Sequence, residues 1–106
     1  MKRVMVRYRV KAERVDENAS YIEKVFRQLR KDRPAGLRYA SFRLDDGVTF
    51  VHLADVDTAD GNNPLTTTEA FKAFQAGLKD RCEELPVVAE LHEVGSFDGL
   101  TTGRGA

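Results

Sequence analysis

The chain has 106 residues, 42% hydrophobic and 32% charged, and its seventeen basic and seventeen acidic side chains cancel to a formal net charge of zero. That length fits one domain with a single core, and the balanced charge argues against a partner such as nucleic acid or an anionic membrane. A single cysteine, Cys82, excludes an internal disulfide and a multi-cysteine metal site. No apolar run approaches the ~20 residues of a membrane span. Arginines interrupt "MKRVMVRYRV", unlike the continuous apolar core of a signal peptide, so a reducing cytoplasm is the expected location.

"VMVRYRV" (4–10) alternates, with Val4, Val6, Tyr8 and Val10 on one side and Met5, Arg7 and Arg9 on the other, which predicts a half-buried strand. From Val15 to Asp32 the period changes. Ala19, Ile22, Val25, Phe26 and Leu29 make one apolar stripe on a helix. Its acidic start and basic end suit the helix dipole, and Pro34 stops it.

"LRYASFRL" (37–44), "DDG" and "VTFVHLADV" (48–56) read as a β-hairpin with a three-residue loop and Gly47 in the left-handed position. That loop pairs 44 with 48, 42 with 50 and 40 with 52. A second helix follows in "TTTEAFKAFQAGLKDRC", with Thr66 and Glu69 as a capping box and Ala70, Phe71, Phe74 and Leu78 as its stripe. Pro86 closes that region, and "VVAELHEV" (87–94) is the last strand. Residues 1–97 are expected to form the domain and 98–106 a mobile tail.

The order β-α-β-β-α-β is the ferredoxin-like α+β arrangement, with both helices on one face of a four-stranded antiparallel sheet. The helix-covered face is expected to carry Val4, Val6, Phe42, Phe50, Val87 and Leu91. The open face keeps Met5, Tyr39, Val51, Leu53 and Val88, an apolar centre with a polar rim that predicts a homodimer through the sheets.

"FVHLADV", "NPLTTTEAFKAFQAGLKDRC" and "ELHEVGSF" carry a further likeness. Over about residues 3–97 the chain resembles the antibiotic biosynthesis monooxygenase-like family of the dimeric α+β barrel superfamily. The resemblance implies a homodimer whose sheets form a barrel, with a pocket in each subunit between sheet and helices. It implies two active branches. One oxidises polycyclic phenols with oxygen, without bound metal or flavin, using a tryptophan and an asparagine in its pocket. This chain has no tryptophan, and its asparagines fall at 18, 62 and 63, at the start of the first helix and in a loop. The other degrades haem with a histidine on the second helix, where this chain has none.

His52 is the candidate catalytic residue. An imidazole beside a cavity can take a phenolic or carbon-bound proton near neutral pH; the other reading is a hydrogen-bonded core histidine. Tyr21, Phe50, Phe71 and Phe74 are candidate substrate-binding aromatics for a flat ligand, or simply core. His92 fits an interface or edge hydrogen bond, Cys82 an inert thiol, and Tyr39 a dimer contact. The two histidines, on opposite faces, form no metal site, and no motif for a nucleotide, phosphate or other cofactor is present. The expected function is a cofactor-independent monooxygenase acting on a small aromatic or polyketide-like substrate. The alternative is a non-catalytic dimeric module that binds a small hydrophobic ligand or serves as a stress-associated structural dimer.

Overall fold

The structure, a computed structural model, describes residues 1–99. Most of the expected tail, from Leu100 onward, lies outside the described residues. The elements run β1 (Lys2–Val10), α1 (Val15–Asp32), β2 (Leu37–Arg43), β3 (Thr49–Val56), α2 (Glu69–Ala76), α3 (Leu78–Arg81) and β4 (Cys82–Leu91). All neighbouring strands are antiparallel, in the order β2-β3-β1-β4. This is the ferredoxin-like α+β arrangement, with the second helical stretch divided at Gly77.

Period-two alternation on β1 and β3 and the apolar stripe of α1 meet in one core. Tyr8 and Val10 pack with Phe50, Val25, Leu65, Phe74, Leu78 and Cys82, so α1, α2 and α3 all cover the same sheet face. Each large apolar side chain buried there contributes about 1.5–3 kcal/mol. Helix α1 ends at Arg33, in the left-handed region at φ 45°, with its backbone N–H donating to Leu29 O at 2.8 Å. Among the described residues no helix is long and apolar enough to cross a membrane.

The hairpin departs from expectation by one residue. Strand β2 pairs Ser41 with His52, Phe42 with Val51 and Arg43 with Phe50. The cause is the turn. Asp46 accepts hydrogen bonds from Val48 N at 3.0 Å, Thr49 N at 2.9 Å and the Thr49 hydroxyl at 2.5 Å. Leu44 N then pairs with Thr49 O at 2.9 Å, closing a loop one residue longer than the three-residue loop expected. Because side chains alternate, that slip exchanges the two faces of β2. Tyr39 and Ser41 turn toward the helices, and Phe42 faces out, 50% exposed. Tyr39 is therefore no open-face residue.

The faces of β4 are also exchanged. Val88 pairs with Val6 and borders the space on the helix side, while Val87 pairs with Arg7 on the open side; at this sheet edge both are exposed, 65% and 64%. The strand begins at Cys82 rather than after Pro86. Pro86 is tolerated because β4 is an edge strand, and its register shifts between the partners of Arg7 and Val10. The second helix starts later than its capping-box signal. Pro64 opens a 3-10 turn in which the Thr66 hydroxyl donates to Asn63 O at 2.8 Å. Thr68 is the cap instead, accepting from Phe71 N at 3.3 Å.

Candidate functional site: a cavity against a buried histidine

Between α2 and the sheet lies a cavity of about 160 Å³. Alternation on β1 and β3 sends Val4, Val6, Tyr8, His52 and Ala54 to its wall, and β2 adds Tyr39. The helical side supplies Phe71, Phe74 and Leu78, with Leu65 and Asn63 from the preceding turn. Most of this lining is apolar; Tyr8 and Tyr39 meet at His52, and Asn63 and Gln75 add polar groups on the helical side.

His52 is 4% exposed. Its Nε2 lies 2.7 Å from the Tyr8 hydroxyl, and its Nδ1 lies 2.6 Å from the Tyr39 hydroxyl and 2.7 Å from Ser41 Oγ. Asn18 Nδ2 donates to the Tyr8 hydroxyl at 2.9 Å, so that oxygen keeps its own hydrogen to donate to Nε2. We assign the tautomer with hydrogen on Nδ1, in which the Tyr8 hydroxyl both accepts from Asn18 and donates to Nε2. The Nδ1 hydrogen serves one of two hydroxyls, leaving Tyr39 with a hydrogen to donate elsewhere. Burial pushes the His52 pKa down to about 4, so the ring is neutral near pH 7. Burial pushes the tyrosines the other way, Tyr39 up to about 12, and raises Tyr8 well above the ordinary phenol range.

The chain of polar groups runs on behind Tyr8. Arg81, 1% exposed, donates from Nε to Asn18 Oδ1 at 3.1 Å and from Nη2 to Phe74 O at 2.8 Å. Its guanidinium lies 4.5 Å from the Tyr21 ring centre and 5.4 Å from that of Phe74. Among the described residues no carboxylate pairs with it. A buried cation of this kind favours negative charge near Tyr8.

Of the residues singled out in the sequence, His52, Phe71 and Phe74 meet at the cavity. Phe50 stacks on the far side of Tyr8, centroids 5.6 Å apart, and Tyr21 lies under Arg81; neither borders the cavity. His92 is exposed just past β4. Cys82 is buried, which raises its thiol pKa. Sequence reasoning missed Tyr8, Asn18, Tyr39, Ser41, Asn63 and Arg81. A signal existed for Tyr8, a polar-tipped aromatic on the core side of an otherwise aliphatic strand.

The architecture is that of a ferredoxin-like α+β protein with its cavity between sheet and helices. No family model and no curated protein sequence matches the chain. Solved structures do share its fold. One, named antibiotic biosynthesis monooxygenase, has 18% sequence identity and a TM-score of 0.74, covering 90% of this chain and 100% of its own. Rv0793 from Mycobacterium tuberculosis has 12% identity and a TM-score of 0.72, covering 90% and 96%. SnoaB from Streptomyces nogalater, a cofactor-independent oxygenase, has 14% identity and a TM-score of 0.67, covering 90% and 94%. The resemblance read from the sequence therefore extends to the fold of nearly the whole chain.

Proposed function

We propose that this protein is a cofactor-independent monooxygenase whose substrate is a small phenol with a single ring in the reacting position. The observation that carries this reading is a mostly apolar cavity of about 160 Å³ with Tyr8, His52 and Tyr39 on its wall. A dry apolar cavity of ~150 Å³ accommodates one benzene ring. A fused polycyclic substrate needs more space, so the reading narrows to single-ring phenols or the terminal ring of a longer molecule.

In this mechanism the apolar wall excludes water and holds the ring. The substrate hydroxyl donates to the Tyr8 oxygen, and Tyr8 passes its own hydrogen to His52 Nε2, 2.7 Å away. A buried imidazole with pKa about 4 is a weak base, so the transfer depends on the phenolate and the imidazolium stabilising each other as they form. Tyr39, across the imidazole at Nδ1, keeps the ring of His52 oriented. The electron-rich ring then reacts with molecular oxygen. Phenol plus oxygen gives quinone plus water, with one oxygen atom in each product.

The homodimer belongs to the same proposal. Phe42 and Val87 are 50% and 64% exposed on the uncovered sheet face, which supports closure by a second copy. So does a cytoplasmic location, supported by Cys82 as a buried free thiol.

Oxygen uptake with a panel of single-ring phenols tests the reading. The expected result is uptake that falls about 100-fold or more in His52→Gln. No uptake with any phenol, or an unchanged rate in that variant, would overturn it. One observation favours a second reading, a non-catalytic module that holds the same ring: both nitrogens of His52 already have hydrogen-bond partners. Binding without uptake would select it.

A further inference from the structure

Tyr39 borders two separate spaces. One is the inner cavity; the other is a pocket of about 320 Å³ at the C-terminal end of α1. We infer that this outer pocket binds a small aromatic carboxylate, with the ring against Phe26 and Tyr39 and the carboxylate between Arg30 and Arg33. The inference concerns binding alone and does not rest on chemistry in the inner cavity.

The ring preference follows from the wall. Phe26 and Tyr39 stack with centroids 5.2 Å apart and planes 24° from parallel. Leu29, Pro34 and Leu37 complete an apolar lining. The pocket's volume is that of a groove widely open to solvent, so a ligand there keeps one side exposed. It is about twice what a lone benzene ring fills, leaving room for a carboxylate and its water.

The charge preference follows from two arginines three residues apart on the last turn and cap of α1, both lining this pocket. Among the described residues neither takes part in an ion pair, a state they share with Arg7, Arg38, Arg43 and Arg81, none of which lines this pocket. The Arg30 guanidinium lies 6.0 Å from the Phe26 ring centre, which aligns it with the aromatic wall. Arg33 holds a left-handed conformation, φ 45° and ψ 58°, at a cap position where glycine is common. That backbone costs roughly 1–2 kcal/mol for a residue with a side chain, and it leads into Pro34 with Arg33 on the pocket rim. Helix-dipole compensation accounts for basic residues at this end in general. Lys31 supplies the same compensation without lining the pocket. Two arginines on the lining of a pocket with an aromatic wall match a carboxylate carried on a ring.

The test is an NMR titration of backbone amides with benzoate, and in parallel with benzyl alcohol, a neutral compound of similar shape. Benzoate is expected to shift Arg30, Arg33 and Leu37 while leaving Leu65 and Phe74 in place. Benzyl alcohol is expected to bind at least ~5-fold more weakly. The double variant Arg30→Gln with Arg33→Gln, both positions exposed, is expected to lose about tenfold in benzoate affinity. Equal binding of the two compounds, shifts centred on Leu65 and Phe74, an unchanged double variant, or no shift at all would each overturn the inference.

Discussion

The Tyr39 hydroxyl lies 2.6 Å from His52 Nδ1, while the Tyr39 ring stacks on Phe26 of α1 at 5.2 Å. One side chain thus ties a buried imidazole to the helix that covers the sheet. Its place there depends on the turn at Asp46, which sets the register of β2.

The two tyrosines that flank His52 are expected to differ in their contribution to stability. Tyr8→Phe leaves both His52 Nε2 and Asn18 Nδ2 without their partner in a buried site. The expected cost is about 1–3 kcal/mol. Tyr39→Phe leaves Ser41 Oγ at 2.7 Å from Nδ1 as a replacement, so about 0.5–1.5 kcal/mol is expected. Urea denaturation of the two variants measures the order; equal costs would contradict the assigned network.

His52 predicts how stability changes with pH. Its folded-state pKa of about 4 lies below the ordinary value of 6.5. Between those values the unfolded chain binds more protons, so stability is full above pH 6.5 and falls as the pH drops toward 4. The loss from this one group is on the order of 3 kcal/mol at most. Denaturation midpoints followed across this range should decline in the parent protein, and the part due to His52 should be missing in His52→Gln. Direct NMR titration of the imidazole near pH 6.5 would refute the depressed value.

Gly36 tests the connection that leads into β2. It sits at φ +79°, and a methyl group there would lie 2.5 Å from Asp57 O, a backbone atom. Gly36→Ala is expected to cost about 2 kcal/mol or more, since both conformation and space oppose it. A melting temperature equal to the parent's would show that this loop adapts.

The open sheet face makes a prediction about assembly. Val87→Asp places a charge on a 64% exposed site and should leave the fold intact. Light scattering should report twice 11.9 kDa for the parent and 11.9 kDa for the variant. A parent that runs as a single chain would refute the proposed pairing.

The strands, the long helix and their order were legible because burial imposes a period of two on β1 and β3 and a helical stripe on α1. The face of β2 was not. It depends on whether the Asp45–Gly47 turn has an odd or even length, and the Asp46 side chain decides that by capturing two backbone donors. The face of β4 was equally hidden, since Val87 and Val88 are alike as residues and only pairing with Arg7 and Val6 separates them. His52 stood out as a polar group on an apolar face. Asn18 and Arg81 did not, because near a helix start and a helix end such residues usually meet water. Their burial comes from long-range packing between α1, α3 and β1.

The central claim is that a single aromatic ring occupies the cavity beside Tyr8 and His52. Isotope-filtered NMR of labelled protein with millimolar phenol measures this directly. The account predicts contacts from the phenol ring protons to the methyl groups of Val6, Leu65 and Leu78, which line the cavity. Saturating phenol with no contact to any of these three side chains would contradict it.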